Sequence, residues 1–218
     1  MIYALGGKGA AAIWDEKPEL KRKIDWGQKN REVKFPFLDH ALMVSDFRVA
    51  LNLALGNNRQ TKLATWKHGE DLKDYVFLRD AGGYRRKTPV VPDGFFTIEA
   101  GDYRSHFFLE ADRSTMTTER FLRKIAAYWE WRKLKAHEKK HGIKGFRVLT
   151  LTLSPERRDN LLKASRELVN KNKKEGSGVF WFACSKDFNF ANPKSVLDSI
   201  WLTTKDDAKH YLLEPARS

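Results

Sequence analysis

Apolar residues recur at intervals of three and four at Val44, Phe47, Leu51 and Leu55, with Leu42 just ahead of them and Gly56-Asn57 just after. That spacing predicts an amphipathic helix over 38–55, stopped by glycine. Beyond it the period shortens. Residues 63–66 and 75–78 read as short strands, and 92–98 with 106–112 as a hairpin across the polar break at Gly101-Asp102. Residues 146–153 and 178–184 read as two further strands. Between them the period returns to that of a helix, from Thr115–Thr118 to about Lys140, with Thr115 or Thr118 as cap, and from Pro155 to about Lys171. Arg85-Arg86-Lys87, after Gly82-Gly83, reads as a basic loop. At the front, residues 1–5 suit a strand and 8–14 the start of a helix, followed by a polar, basic linker over 15–36. This alternation predicts an α/β fold with a mixed central sheet flanked by helices. Two regions follow from it: 1–34, and a main domain over 35–218.

Composition narrows the partner. The 218 residues are 41% apolar and include seven tryptophans, ample material for a core. The formal net charge is +13, which favours a polyanion, most commonly nucleic acid. No apolar run is long enough to span a bilayer, and no basic start followed by an apolar stretch marks a signal peptide. The single cysteine, Cys184, excludes an internal disulfide and reads as a small core residue in its strand. A reducing cytoplasm fits this usage. Basic residues cluster at 21–23, at 85–87, from 133 to 140 and at 171–174. Each cluster alone reads as a solvated face; their sum makes the case for DNA.

The chemistry concentrates in the hairpin. Asp93 opens its first strand, and Glu110 and Asp112 lie near the end of the second, with Asp93 and Glu110 17 residues apart. Residues two apart on a strand share a face, so Glu110 and Asp112 point the same way. Acids at the end of an apolar strand are costly unless compensated. A hard divalent cation, Mg²⁺ or Mn²⁺, would compensate them. Nucleases that work this way add a lysine, usually two residues after the second acid; here that place is taken by Asp112. Lys124 is the substitute, three after Phe121 and four before Tyr128, at the edge of the helix's apolar stripe. The alternative is a boundary lysine with its stem on the core and its head in water.

Tyr3–Ala10, Pro92-Asp93, Phe107–Thr115, the helix with Lys124 and Tyr128, Phe180–Ala183 and Ile200–Thr203 together resemble the replication-relaxation family of plasmid and mobile-element proteins. Glu110-Ala111-Asp112-Arg113-Ser114-Thr115 is the most specific part. The resemblance implies a winged-helix DNA-binding region, only partly present at the N-terminus, joined to a core like the PD-(D/E)xK (restriction-endonuclease-like) nucleases. It implies Asp93 and Glu110 as catalytic acids with Lys124, and the Ala111 carbonyl as a backbone metal ligand beside the two acids; Asp112, in the place of the usual lysine, is a further candidate ligand. Arg85, Arg86, Lys87, Arg113 and Arg120 are the candidate DNA contacts.

Three functions stay open at this point: a metal-dependent DNA endonuclease or nickase, a non-catalytic DNA-binding accessory, and an adaptor for replication or mobilisation proteins, as a monomer or an oligomer. His40 on the apolar face of the first helix, Asp46 on the same helix, Glu70 as a fourth acid, and Trp129 and Trp131 as stacking groups are secondary candidates. Each also has an ordinary structural reading.

Overall fold

The computed structural model describes residues 7–16, 18, 35–56, 60–80, 82–171 and 178–213. Helix α1 spans Gly7–Glu16, where the sequence predicts a helix start. The strand expected over 1–5 and most of the 15–36 linker lie outside the described residues; of the linker, Asp15-Glu16 end α1 and Phe35-Pro36 open the next helix instead. The chain divides into two units at Leu42/Met43, within helix α2, Phe35–Gly56.

The larger unit is built on a seven-stranded sheet. Its strands are β1 (Thr61–Lys67), β4 (Gly94–Ala100), β5 (Tyr103–Asp112), β6 (Arg147–Thr152), β7 (Phe180–Cys184), β8 (Trp201–Thr203) and β9 (Lys209–His210), in that spatial order. Strands β5, β6 and β7 are parallel neighbours and every other pairing is antiparallel, so the central sheet is mixed, as expected. Helices α3 (Thr118–Lys133) and α4 (Ala136–His141) connect β5 to β6, and α5 (Pro155–Lys171) connects β6 to β7. Among the described residues no helix is long and apolar enough to cross a membrane.

Alternation along the strands divides the side chains between two cores. Phe107, Leu109 and Ala111 of β5, with Leu149 and Leu151 of β6 and Trp181 and Ala183 of β7, meet the α2 residues Phe47, Leu51 and Leu55. Phe47 is fully buried, its ring 5.8 Å from Phe96, 6.0 Å from Phe188 and 6.3 Å from Trp201. On the other face Phe108, Val148, Phe180 and Phe182 meet Phe121, Ile125, Tyr128 and Trp131 of α3. Toward the carboxyl ends of β5 and β6 this second face turns polar, with Glu110, Asp112, Thr150 and Thr152 all buried.

Three local expectations need correction. Arg85-Arg86-Lys87 is not a loop. It begins strand β3 (Arg85–Val90), which pairs with β2 (Asp74–Arg79) in a separate two-stranded ribbon. Charged residues and Pro89 hide the alternation there, and a two-stranded edge tolerates a proline. The helix expected to reach Lys140 breaks at Leu134-Lys135, where Lys135 takes the left-handed conformation (φ 51°). The new direction buries His137 against Trp131 and Phe146. Thr117, rather than Thr115 or Thr118, caps α3, its hydroxyl accepting from the Arg120 N–H at 3.3 Å.

Candidate functional site

Asp93, Glu110 and Lys124 come together from three elements. Asp93 lies one residue before β4, and its carboxylate accepts the Ala111 N–H at 2.8 Å. It thereby continues the β4–β5 ladder past the end of β4, where a backbone acceptor is missing. Its own N–H donates to the Leu109 carbonyl at 2.9 Å. In an extended chain the N–H and C=O of one residue point to the same edge, so the Ala111 carbonyl also faces the Asp93 side. Gly94 lets the chain pass Trp66, since a Cβ there would stand 3.2 Å from the indole ring.

Glu110 points from the polar end of β5 toward α3. The Lys124 ammonium donates to one carboxylate oxygen, and the Tyr128 hydroxyl donates to the other at 2.6 Å. The two helix residues are four apart and so share a face. Burial lifts the Glu110 pKa to about 7, with Asp93's charge adding to the rise and Lys124's opposing it. Burial disfavours the Lys124 ammonium, yet the charges of Glu110 and Asp93 outweigh that and hold its pKa above the ordinary value. Tyr128 is held well above its ordinary pKa, first by burial and then by Glu110, and stays a donor. Opposite Glu110 in the β5–β6 register, the Thr150 hydroxyl is buried with no hydrogen-bond partner among the described residues. The cluster sits at the carboxyl ends of parallel strands, where α/β sheets commonly place their ligands.

Asp112 shares Glu110's face but has a different partner. Arg157, in the first turn of α5, donates through Nε at 2.9 Å and Nη2 at 3.3 Å to its two oxygens, and Nη2 also reaches the Met116 carbonyl at 2.6 Å. The Ser114 N–H donates to Asp112 as well, at 2.8 Å. Among the described residues no three His, Cys, Asp or Glu side chains are grouped to hold a metal ion. The oxygen donors on the Asp93 side are therefore two carboxylates and a backbone carbonyl. That set suits a hard cation, and the like charges of Asp93 and Glu110 already oppose each other there.

The other candidates are dispersed. Arg120 is exposed on α3, one turn before Lys124, and Arg113 is half-buried beside Asp112. Arg85 and Lys87 lie on the exposed face of β3, whereas Arg86 turns to Asp80 at 2.5 Å. Glu70 is exposed and paired with Lys73 at 2.5 Å. Asp46 is exposed and His40 half-buried on α2. Trp131 is core, its Nε1–H donating to Asp74 at 2.7 Å, and Trp129 is half-buried. Cys184 is buried. The residues that sequence reasoning leaves without a role at the site are Tyr128 and Arg157. Tyr128 had a signal, its four-residue spacing from Lys124. Arg157 had none, lying 45 residues from Asp112.

A family model described as replication-relaxation matches residues 1–146, two-thirds of the chain, including Asp93, Glu110 and Lys124. No curated protein and no solved structure matches.

Proposed function

The chain belongs to the replication-relaxation family, and from that premise we propose that it binds DNA in plasmid or mobile-element replication and cuts or nicks a phosphodiester with Mg²⁺ or Mn²⁺. The observation that carries this reading is the convergence of Asp93, Glu110 and Lys124, with Glu110 lifted to about 7 by burial. A restriction-endonuclease-like core is the finer fold reading. It is supported by the β4–β5 hairpin that presents Asp93 and Glu110 and by the helix after it that supplies the lysine.

Asp93, Glu110 and the Ala111 carbonyl are the groups that would hold the cation; Asp112 is left to Arg157. When bound, the cation would supply a nucleophilic water at neutral pH and charge stabilisation for the phosphate. Tyr128 fixes the carboxylate of Glu110. Lys124 stays a cation at neutral pH, so its role is to donate toward developing negative charge rather than to act as a base. The same geometry carries a second reading, a non-catalytic DNA-binding accessory, because both oxygens of Glu110 already have partners inside the fold.

Supercoiled plasmid separates the two. A nuclease converts it to nicked or linear form only with Mg²⁺ or Mn²⁺, and Asp93→Ala and Glu110→Ala each abolish the conversion while DNA retention in chelator persists. Conversion that survives both substitutions refutes the assignment of the site. Retention without conversion in the wild type leaves the accessory. Neither retention nor conversion, with a protein partner co-purifying, points instead to an adaptor.

A further inference from the structure

The β2–β3 ribbon has two unlike faces. Its inner face, with Val76 and Val90 buried, packs into the core that includes α3, and Trp131 ties it down through Asp74. Its outer face carries Tyr75, Phe77 and Arg79 from β2 opposite Pro89, Lys87 and Arg85 from β3. All six are exposed, and no carboxylate shares that face. Tyr75 and Phe77 leave 48% and 45% of their surface in water. Diagonally across the ribbon, Lys87 lies 4.0 Å over the Tyr75 ring and Arg85 4.9 Å over Phe77. Beside the turn, the Asp80 carboxylate accepts the Gly82 and Tyr84 N–H groups and pairs with Arg86. Rings and cations therefore alternate on this face, the Tyr75 and Phe77 rings meeting edge to face at 5.7 Å.

We propose that this outer face binds single-stranded DNA, with bases stacking on Tyr75 and Phe77 and phosphates meeting Arg79, Arg85 and Lys87. The inference rests on the DNA-binding reading above and narrows it to one form of the polymer. Exposed aromatic rings among cations serve unstacked bases of any sequence, whereas a duplex keeps its bases stacked inside. A ribbon can read a duplex by entering the major groove, about 12 Å wide, but here the inner face is buried at Val76, Thr88 and Val90, which leaves the outer face as the open surface along that stretch. The chain's charge of +13 suits the same polyanion. The ribbon also leads to the acids: β3 ends at Val90 and Asp93 follows three residues later, within about 10 Å along the chain.

The test is fluorescence anisotropy of the full chain with a labelled 20-nucleotide oligo-dT and with a duplex of equal length, both in chelator so that nothing is cut. Tyr75→Leu and Phe77→Leu keep apolar cover on the strand and remove the aromatic ring, with the hydroxyl in the case of Tyr75. Each is expected to weaken oligo-dT binding about tenfold and duplex binding by no more than about twofold. Arg85→Gln with Lys87→Gln is expected to reduce the slope of log affinity against log salt for the single strand by about 1.4. Equal losses on both DNAs, or no loss on oligo-dT in variants with unchanged melting temperature, overturn the proposal. A wild type that holds duplex but not oligo-dT also overturns it and leaves the proposed function standing. A wild type that holds neither removes both.

Discussion

Arg157→Leu is the sharpest test of how the acids are divided between structure and chemistry. The substitution strands Asp112. The pair is in the buried regime, with side-chain exposures of 16% for Arg157 and 5% for Asp112, so the small values measured for surface pairs do not apply. Removing one partner of such a pair costs about 3–5 kcal/mol, because the remaining charge keeps its desolvation without compensation. Loss of the bond to the Met116 carbonyl acts in the same direction. A folded domain holds only about 5–15 kcal/mol in total, so the variant should lie near the edge of stability. Urea unfolding followed by tryptophan fluorescence reads this directly, since Trp131, Trp181 and Trp201 are buried. At about 1–3 kcal/mol per molar, the midpoint should fall by more than about 1 M. Asp112→Leu together with Arg157→Leu should recover most of the loss, because an apolar pair leaves no charge stranded. The double variant should also keep whatever metal-dependent cleavage the wild type has. A midpoint shift under about 0.3 M for Arg157→Leu, or a double variant as weak as the sum of the singles, refutes the reasoning.

Glu110 gives a pH signature measurable in chelator. Its folded pKa, about 7, is raised from 4.5, so the folded state binds the proton more tightly. The stabilisation is full below pH 4.5 and is lost as pH rises through about 7, a change of about 3 kcal/mol at about 1.4 kcal/mol per pH unit. Glu110→Gln should flatten that segment of the stability–pH profile, and a profile unchanged by the substitution would contradict the assignment. In the opposite core, Phe47→Ala removes a ring packed against Phe96, Phe188 and Trp201. It should cost about 3–5 kcal/mol by the same urea assay; a loss below about 1 kcal/mol would show that this core collapses around the gap.

Much of this architecture was legible in the chain itself. The three-and-four spacing of Val44, Phe47, Leu51 and Leu55 marks α2, and the alternation around Gly101-Asp102 marks the β4–β5 hairpin. Strand period alone puts Glu110 and Asp112 on one face, and the wheel of α3 puts Lys124 at its apolar edge. These are local properties, fixed by backbone geometry. Of the β2–β3 ribbon only β2 was legible, because Arg85-Arg86-Lys87 and Pro89 hide the alternation of β3. The short strands β8 and β9 carry too few residues to show a period.

What the tertiary structure decided is which partner each buried charge received. The sequence places three acids within 20 residues of one another and favours pooling them around one cation. The fold gives Asp112 to Arg157, brought in on α5 from 45 residues away, and gives Glu110 to Lys124 and Tyr128. No periodicity encodes that choice. The cost of a buried charge is set by whatever lies within a few ångströms in space, and those neighbours come from elements whose packing is settled only when both cores close.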